Sequence, residues 1–272
     1  MPKVQQPKGV AQQKVPAVEE ATIMRNLIVH CYPRKSGKWR RTLAHLTAGD
    51  RWAQFTGRKI ISIAFDECCS DPDEVCDEWP SDCEFIVNPN VLGLQEVASF
   101  LPLMEKVESR DPDEWTTYVH CKGCTQPDGH ASHRWLDYMA SANFDYPQLL
   151  ECVMKNANIC GAVRSHGLWA FPHYHNWHFA GTFFTFRHSR VFGELPWSNV
   201  HQNFMGVEAW PGIVPVTESA CLFFDHANTA HLYSPDFQKQ TIEPAMCWWH
   251  RNLQKCGLTP ASQITKREMV PA

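Results

Sequence analysis

No stretch of this 272-residue chain is apolar for long enough to span a bilayer, and its opening residues lack the charged-then-apolar order of an export signal. The first absence argues against a membrane-spanning helix; the second sets the expectation of a cytoplasmic, reducing location. Positive charge is not in excess: 25 Lys and Arg stand against 29 Asp and Glu, a formal net charge of −4. That balance argues against a protein that coats nucleic acid or acidic lipid. No internal repeat recurs, which removes solenoids. Twelve Cys are present, yet Cys121-Lys-Gly-Cys124 has no second pair at ribbon-like spacing, so a four-thiolate zinc site is not expected. In a reducing compartment most of those thiols are expected to be buried as small apolar groups.

What is present describes a globular chain. Hydrophobic residues make up 44% and charged residues 20%, enough to bury a sizeable core in one large domain or two small ones. Eleven Trp suit stacking on sugar rings, although most are expected at the edge of the core. Residues 1–22, rich in Gln, Lys, Pro and Val without periodicity, read as a disordered tail. Residues 26–31 form a short apolar run closed by Tyr32-Pro33, a strand and a turn. Arg34, Lys35, Lys38, Arg40 and Arg41 follow, opening a helix with Trp39, Leu43 and Leu46 on one face. They read as a solvated face, with help in holding an anion as the alternative. A second strand covers 59–65 and ends in Asp66-Glu67; an acidic loop with room for one short helix leads to a third at 84–88. Residues 91–107 have helical spacing.

The next apolar run is the one the chain is organised around. Thr116 to Val119 reads as a buried strand that stops abruptly in His120-Cys-Lys-Gly123. Open α/β sheets present their ligands beyond the carboxyl ends of the strands. Lys122 there offers a mobile positive charge of the kind that holds phosphate, and Gly123 lets backbone come close to a ligand. The order β-α-β-(α)-β-α-β predicts a mostly parallel sheet covered by helices. Farther on, helices are expected over 133–143 and 146–155, and a strand over 159–164. An aromatic, His-rich loop over 169–177 leads to one strand over 178–187 with Gly181 inside it. A helix at 188–195, a loop-to-helix signal at 205–212 and an apolar segment at 217–224 precede a tail over 236–272, in which Trp248 and Trp249 are expected to fold back on the domain.

Taken together, these residues resemble the GT-A-type glycosyltransferases. Ile63-Ala-Phe-Asp66 is similar to that family's second strand, whose Asp binds the nucleobase or ribose. Tyr118-Val-His-Cys-Lys-Gly123 stands where the family usually carries its metal-binding Asp-x-Asp. More narrowly, His120-Cys-Lys-Gly123, Phe179-Ala-Gly-Thr-Phe-Phe184 and Glu208-Ala-Trp210, in that order, resemble a sparsely characterised bacterial group with a His-x-Lys-Gly motif, over about residues 25–235. The resemblance implies a GT-A-like, Rossmann-type α/β fold in a single domain over 23–272, with a nucleotide-sugar half at about 23–125 and an acceptor half at about 126–235. It implies transfer of a hexose from a nucleoside diphosphate sugar to a glycan or cell-surface precursor. Tyr32, Asp66, His120, Lys122, Gly123 and Arg187 would then face the donor. Trp177, His178, Gly181 and Trp210 would face the acceptor or sugar, and Glu208 would be the base that takes the acceptor's proton.

A departing diphosphate gains negative charge, and something cationic must meet it. A protonated Lys cannot ligate a hard metal ion. The site is therefore expected to work without a cofactor, Lys122 acting with Arg187 or Arg164; manganese or magnesium bound elsewhere is the alternative. The family's second acid is absent, Ala209 standing in its place. Two rival readings stay open. His173-Tyr-His-Asn-Trp-His178 has the spacing of binuclear zinc hydrolases, with His173, His175 and His178 converging on zinc, though Trp177 stands where that family has Asp. The other rival is a non-catalytic carbohydrate-binding domain that kept the fold and lost the chemistry.

Overall fold

The computed structural model describes residues 23–166, 174–226 and 229–263. The tail expected at 1–22 and most of the aromatic loop, residues 167–173, lie outside them. In chain order the elements are β1 (Met24–Cys31), α1 (Arg40–Thr47), β2 (Lys59–Phe65), α2 (Pro72–Glu78), β3 (Glu84–Pro89), α3 (Glu96–Val107) and β4 (Glu114–His120). Then come α4 (Ala131–Phe144), α5 (Pro147–Met154), β5 (Ile159–His166), β6 (Trp177–Phe179), β7 (Phe184–Arg187), α6 (His188–Glu194) and α7 (Gly206–Ala209). The chain continues through β8 (Ser219–His226), α8 (Thr229–Leu232), α9 (Pro235–Phe237) and α10 (Glu243–Lys255).

One mixed sheet, mostly parallel, runs through both halves of the chain in a Rossmann-like arrangement, in the order β3-β2-β1-β4-β7-β5, with β6 and β8 also paired to β5. Strands β1 to β4 are parallel to one another, β8 is parallel to β5, and β7 runs antiparallel between β4 and β5. Side chains alternate across a strand, so β1 feeds two layers. Leu27, Val29 and Cys31 join Trp39, Leu46, Trp135 and Met139 on the side of α1 and α4. Ile28 joins Phe100, Met104, Tyr118, Phe184 and Trp210 on the side of α3 and α7. Each of these side chains is almost fully buried, worth about 1.5–3 kcal/mol for a Val, Leu, Ile, Phe or Met relative to exposure.

Three expectations change. The strand expected over 178–187 is two pieces in one line beside β5, whose registers against β5 differ by two residues. Gly181 (φ 89°) and Thr182 (φ 60°) sit between them in left-handed backbone, which a ladder cannot accommodate. The helix expected from Val91 starts only at Glu96, because Gly93 (φ 89°) and Gln95 (φ 48°) take left-handed conformations that break the helical run. Trp249 in α10 packs edge-on against Tyr146 at 5.1 Å, but Trp248 is 63% exposed. Successive helical residues point about 100° apart, so one of the pair must face away.

Candidate functional site

Strand β1 is flanked by β2 on one side and β4 on the other, so the chain leaves it in both directions. The carboxyl ends of β1 and β4 therefore bound a crevice at the point where strand order reverses, the usual ligand position in open α/β sheets. A cavity of about 510 Å³ lies there, within the ordinary range for small-molecule sites. His30 and Tyr32 line it from β1 and its turn, and His120, Lys122 and Gly123 from the end of β4. Glu96 from α3, His130 and Ser132 from the start of α4, Glu208 from α7 and Tyr233 after α8 complete its walls.

The two histidines share a register. His30 stands opposite His120 in the parallel pair, so both turn toward α3. There they meet Ser99 and Glu96, which are one helical turn apart and so share a face. His30 Nδ1 lies 3.0 Å from Ser99 Oγ, and burial pushes its pKa down to about 4. His120 Nδ1 is paired closely with Glu96 Oε1, and the Tyr118 hydroxyl donates to Glu96 Oε2 at 3.2 Å. Burial alone would raise the Glu96 pKa. The charge and hydrogen bond of His120, with His30 and Lys122 behind it, outweigh that and hold it at about 2. The other ring nitrogen, His120 Nε2, is buried and has no hydrogen-bond partner among the described residues.

Lys122 sits farther into the turn, its ammonium 5.2 Å from the centroid of the Tyr233 ring. Burial works against its charge, but Tyr233, Glu208 and Glu96 together lift its pKa above the usual lysine value. It is therefore held as a cation in a partly desolvated wall, where its field is strong. Glu208 faces it, and one carboxylate oxygen accepts from the Gly181 backbone N–H at 3.4 Å. Gly123 (φ 75°) needs the left-handed freedom of glycine, and a Cβ there would fall 2.7 Å from Ser132 Oγ. The close approach inferred from the sequence is thus made by the protein's own α4, whose first turn opens on the cavity.

Tyr32 lines the cavity with its ring and donates its hydroxyl to Asp66 Oδ2 at 2.6 Å. Asp66 also accepts from Asn90 Nδ2 and the Cys68 N–H, both at 2.9 Å. Tyr32, then Asn90 and Cys68, hold its carboxyl at about 2 against the effect of burial. Asp66 is thereby engaged by the protein itself behind the wall. Arg34 also lines the cavity, and its guanidinium makes no ion pair among the described residues.

Other residues named from the sequence lie elsewhere. Arg187 pairs in register with Trp115 at the opposite end of β4, stacks over that ring at 5.6 Å and bonds the Met154 carbonyl. It lines a separate cavity of about 900 Å³ at the amino ends of the strands, remote from Lys122. Because β7 is antiparallel, its carboxyl end meets the start of β4 rather than its finish. Arg164 is tied to Asp225 at 2.6 Å. Trp177 and Trp210 are core residues, 3% and 0% exposed, whose indole N–H groups donate to Val214 and Trp197 carbonyls. His178 is buried in β6, its pKa lowered by burial although Glu208 acts to raise it. Gly181 is close to Met139 and Trp135 as well as to Glu208. His173 lies outside the described residues, His175 is exposed, and no group of three metal-binding side chains occurs among the described residues.

Glu96 and Tyr233 join the site without a sequence signal that points to it, and Arg34 joins it from the basic patch for which holding an anion was the alternative reading. Glu96 was embedded in a helical pattern, and the only local sign of it is an acid at the first turn of that helix. Tyr233 had no sequence signal at all. Arg34 belonged to a basic patch whose other members mostly pair across the surface, Arg40 with Glu78 and Arg41 with Asp137.

No family model and no curated protein matches this chain. Among solved structures it is similar to one described as a "putative nucleotide-diphospho-sugar transferase" from Desulfovibrio desulfuricans G20, at 9% identity and a TM-score of 0.35, over 85% of this chain and 97% of that one. A likeness that distant carries no argument about this chain's site or activity.

Proposed function

We propose that the chain is a glycosyltransferase that moves a hexosyl group from a nucleoside diphosphate sugar to a glycan or cell-surface precursor. The observation that carries the reading is Lys122. It is a lysine kept cationic in the wall of a cavity of about 510 Å³ at the switch point of the sheet. Arg34 and the first turn of α4 bring further positive potential to the same space, which suits a diphosphate. In this reading Lys122 and Arg34 receive the charge that builds on the diphosphate as the bond to the sugar breaks. Glu208 places a carboxylate where the sugar carbon becomes cation-like. Tyr32, fixed through Asp66, offers its ring to the nucleoside. No metal ion is required by this arrangement.

The test is the thermal stability of the protein with UDP-glucose, UDP-N-acetylglucosamine and GDP-mannose, with and without manganese. A donor at 100 times its Kd should stabilise the fold by about 2.7 kcal/mol. No shift with any donor would remove the reading. Activity lost on chelation and restored by manganese would remove its metal-independent part.

A further inference from the structure

We infer that His120, oriented by Glu96, is the group that takes the proton from the acceptor hydroxyl. The inference rests on the transfer reaction proposed above. Sequence pattern points to Glu208 for this task, but one Glu208 carboxylate oxygen already accepts from the Gly181 N–H, and its charge helps to hold Lys122 cationic. His120 is differently placed. It is 8% exposed, it lines the cavity, and its Nε2 has no partner among the described residues. A buried ring nitrogen left unpaired is costly; Nε2 is sealed from solvent in the ligand-free protein, so acceptor binding must shift the ring or its cover for a hydroxyl to satisfy it.

Glu96 makes the ring suited to the work. With Nδ1–H given to Glu96, the imidazole presents the lone pair of Nε2. The same carboxylate, steadied by the Tyr118 hydroxyl, then stabilises the imidazolium that forms. Glu96 is delivered by Gln95, one of two non-glycine residues with positive φ among those described; the other, Thr182, adjoins Gly181 beneath Glu208. In the step itself the acceptor oxygen bonds to the anomeric carbon while its proton passes to Nε2. The bond from that carbon to the diphosphate oxygen breaks, and its electron pair leaves with the diphosphate toward Lys122 and Arg34. No oxidant, reductant or further reactant is needed.

The experiment measures release of the nucleoside diphosphate from whichever nucleotide sugar stabilises the wild-type protein, with water standing in for the acceptor. His120→Gln should lower kcat by roughly 10²–10⁴-fold while the donor KM stays within about threefold. Glu96→Gln keeps an acceptor for Nδ1–H but removes the charge. It should lower kcat and move the acid limb of the pH–rate profile to lower pH, which a purely structural Glu96 would not do. Among the described residues the groups that face the ring are Glu96 from α3, His30 from β1 and the Phe183 ring at 6.0 Å, with Lys122 acting on the same Glu96, so only Glu96 supplies a carboxylate in direct contact. If His120→Gln does not fold, Glu96→Gln carries the test alone. A His120→Gln protein with near wild-type kcat, a loss of donor affinity matching the loss of rate, or a Glu96→Gln profile that does not move would each overturn the inference while leaving the transferase reading in place. If no nucleotide sugar is bound by the wild type, the reading of function falls and takes this inference with it.

Discussion

Removing the Asp145 carboxylate, away from the cavity at the strand ends, should lower the stability of this protein by several kcal/mol. Asp145 closes α4 and accepts from Arg51 Nε at 2.9 Å and Nη2 at 2.8 Å, with both side chains about 5% exposed. It also accepts from Ser141 Oγ at 2.5 Å and the Ser262 N–H at 3.2 Å, and its carbonyl takes the Ala261 N–H at 2.7 Å. One carboxylate thus ties the segment after α1, the end of α4 and the C-terminal stretch together. Asp145→Ala would leave the Arg51 guanidinium buried with the His45 carbonyl as its clearest acceptor. Breaking a buried pair from one side costs about 3–5 kcal/mol. At roughly 2–4 °C per kcal/mol for a chain of this size, Tm should fall by about 6–20 °C. Replacing both partners, Arg51→Met with Asp145→Leu, should recover much of the loss, because no charge is then stranded. The pH dependence has a definite sign. Burial raises the Asp145 pKa, but Arg51, with Ser141 and Ser262, brings it below the usual value. Its contribution is therefore present above the unfolded pKa of about 3.9 and is lost as pH falls through the folded one. The gap between wild type and Asp145→Ala, followed by calorimetry, should narrow below about pH 4. A drop in Tm smaller than about 2 °C at neutral pH, or a gap that widens in acid, would refute the reasoning.

Three further outcomes are expected. Lys122→Met removes a charge worth roughly 3–4 kcal/mol to a phosphate at contact distance in a partly buried site, so calorimetric affinity for a UDP-sugar should fall about 10²–10³-fold; unchanged affinity would detach Lys122 from the donor. Gly206→Ala would put a Cβ 1.9 Å from the His201 carbonyl oxygen at the first residue of α7, so it should cost at least about 1–3 kcal/mol and displace Glu208, read as lower Tm with lower turnover. Tyr32→Phe removes the first of the groups that hold the Asp66 pKa at about 2. Stability from Asp66 is present above its unfolded pKa and lost as pH falls toward the folded value, so the acid unfolding midpoint of this variant should move to higher pH.

Much of the sheet was legible because its cause is local. The short apolar runs at 26–31, 59–65 and 116–119, closed by Pro, Asp or Gly, lie within β1, β2 and β4, and a Lys just beyond the last of them stands at a strand end. The break between β6 and β7 was less visible, since the composition of 178–187 suits one strand and only the left-handed backbone at Gly181 and Thr182 interrupts it. Arg187 lies apart from Lys122 for a reason of direction: a strand pattern carries no sign, and only pairing shows that β7 runs against β4.

Sequence alone therefore determined where β1, β2 and β4 lie, and that a histidine and a lysine stand at the end of the last of them. Those features follow from side-chain size and polarity over a few neighbouring residues. The tertiary structure decided that His30 and His120 lie side by side, that α3 brings Glu96 and Ser99 to them, and that Tyr233 and Glu208 reach Lys122 from more than 80 residues away. Such contacts arise from strand order, strand direction and the docking of helix faces, and these are fixed by burial over the whole chain rather than by any short pattern within it.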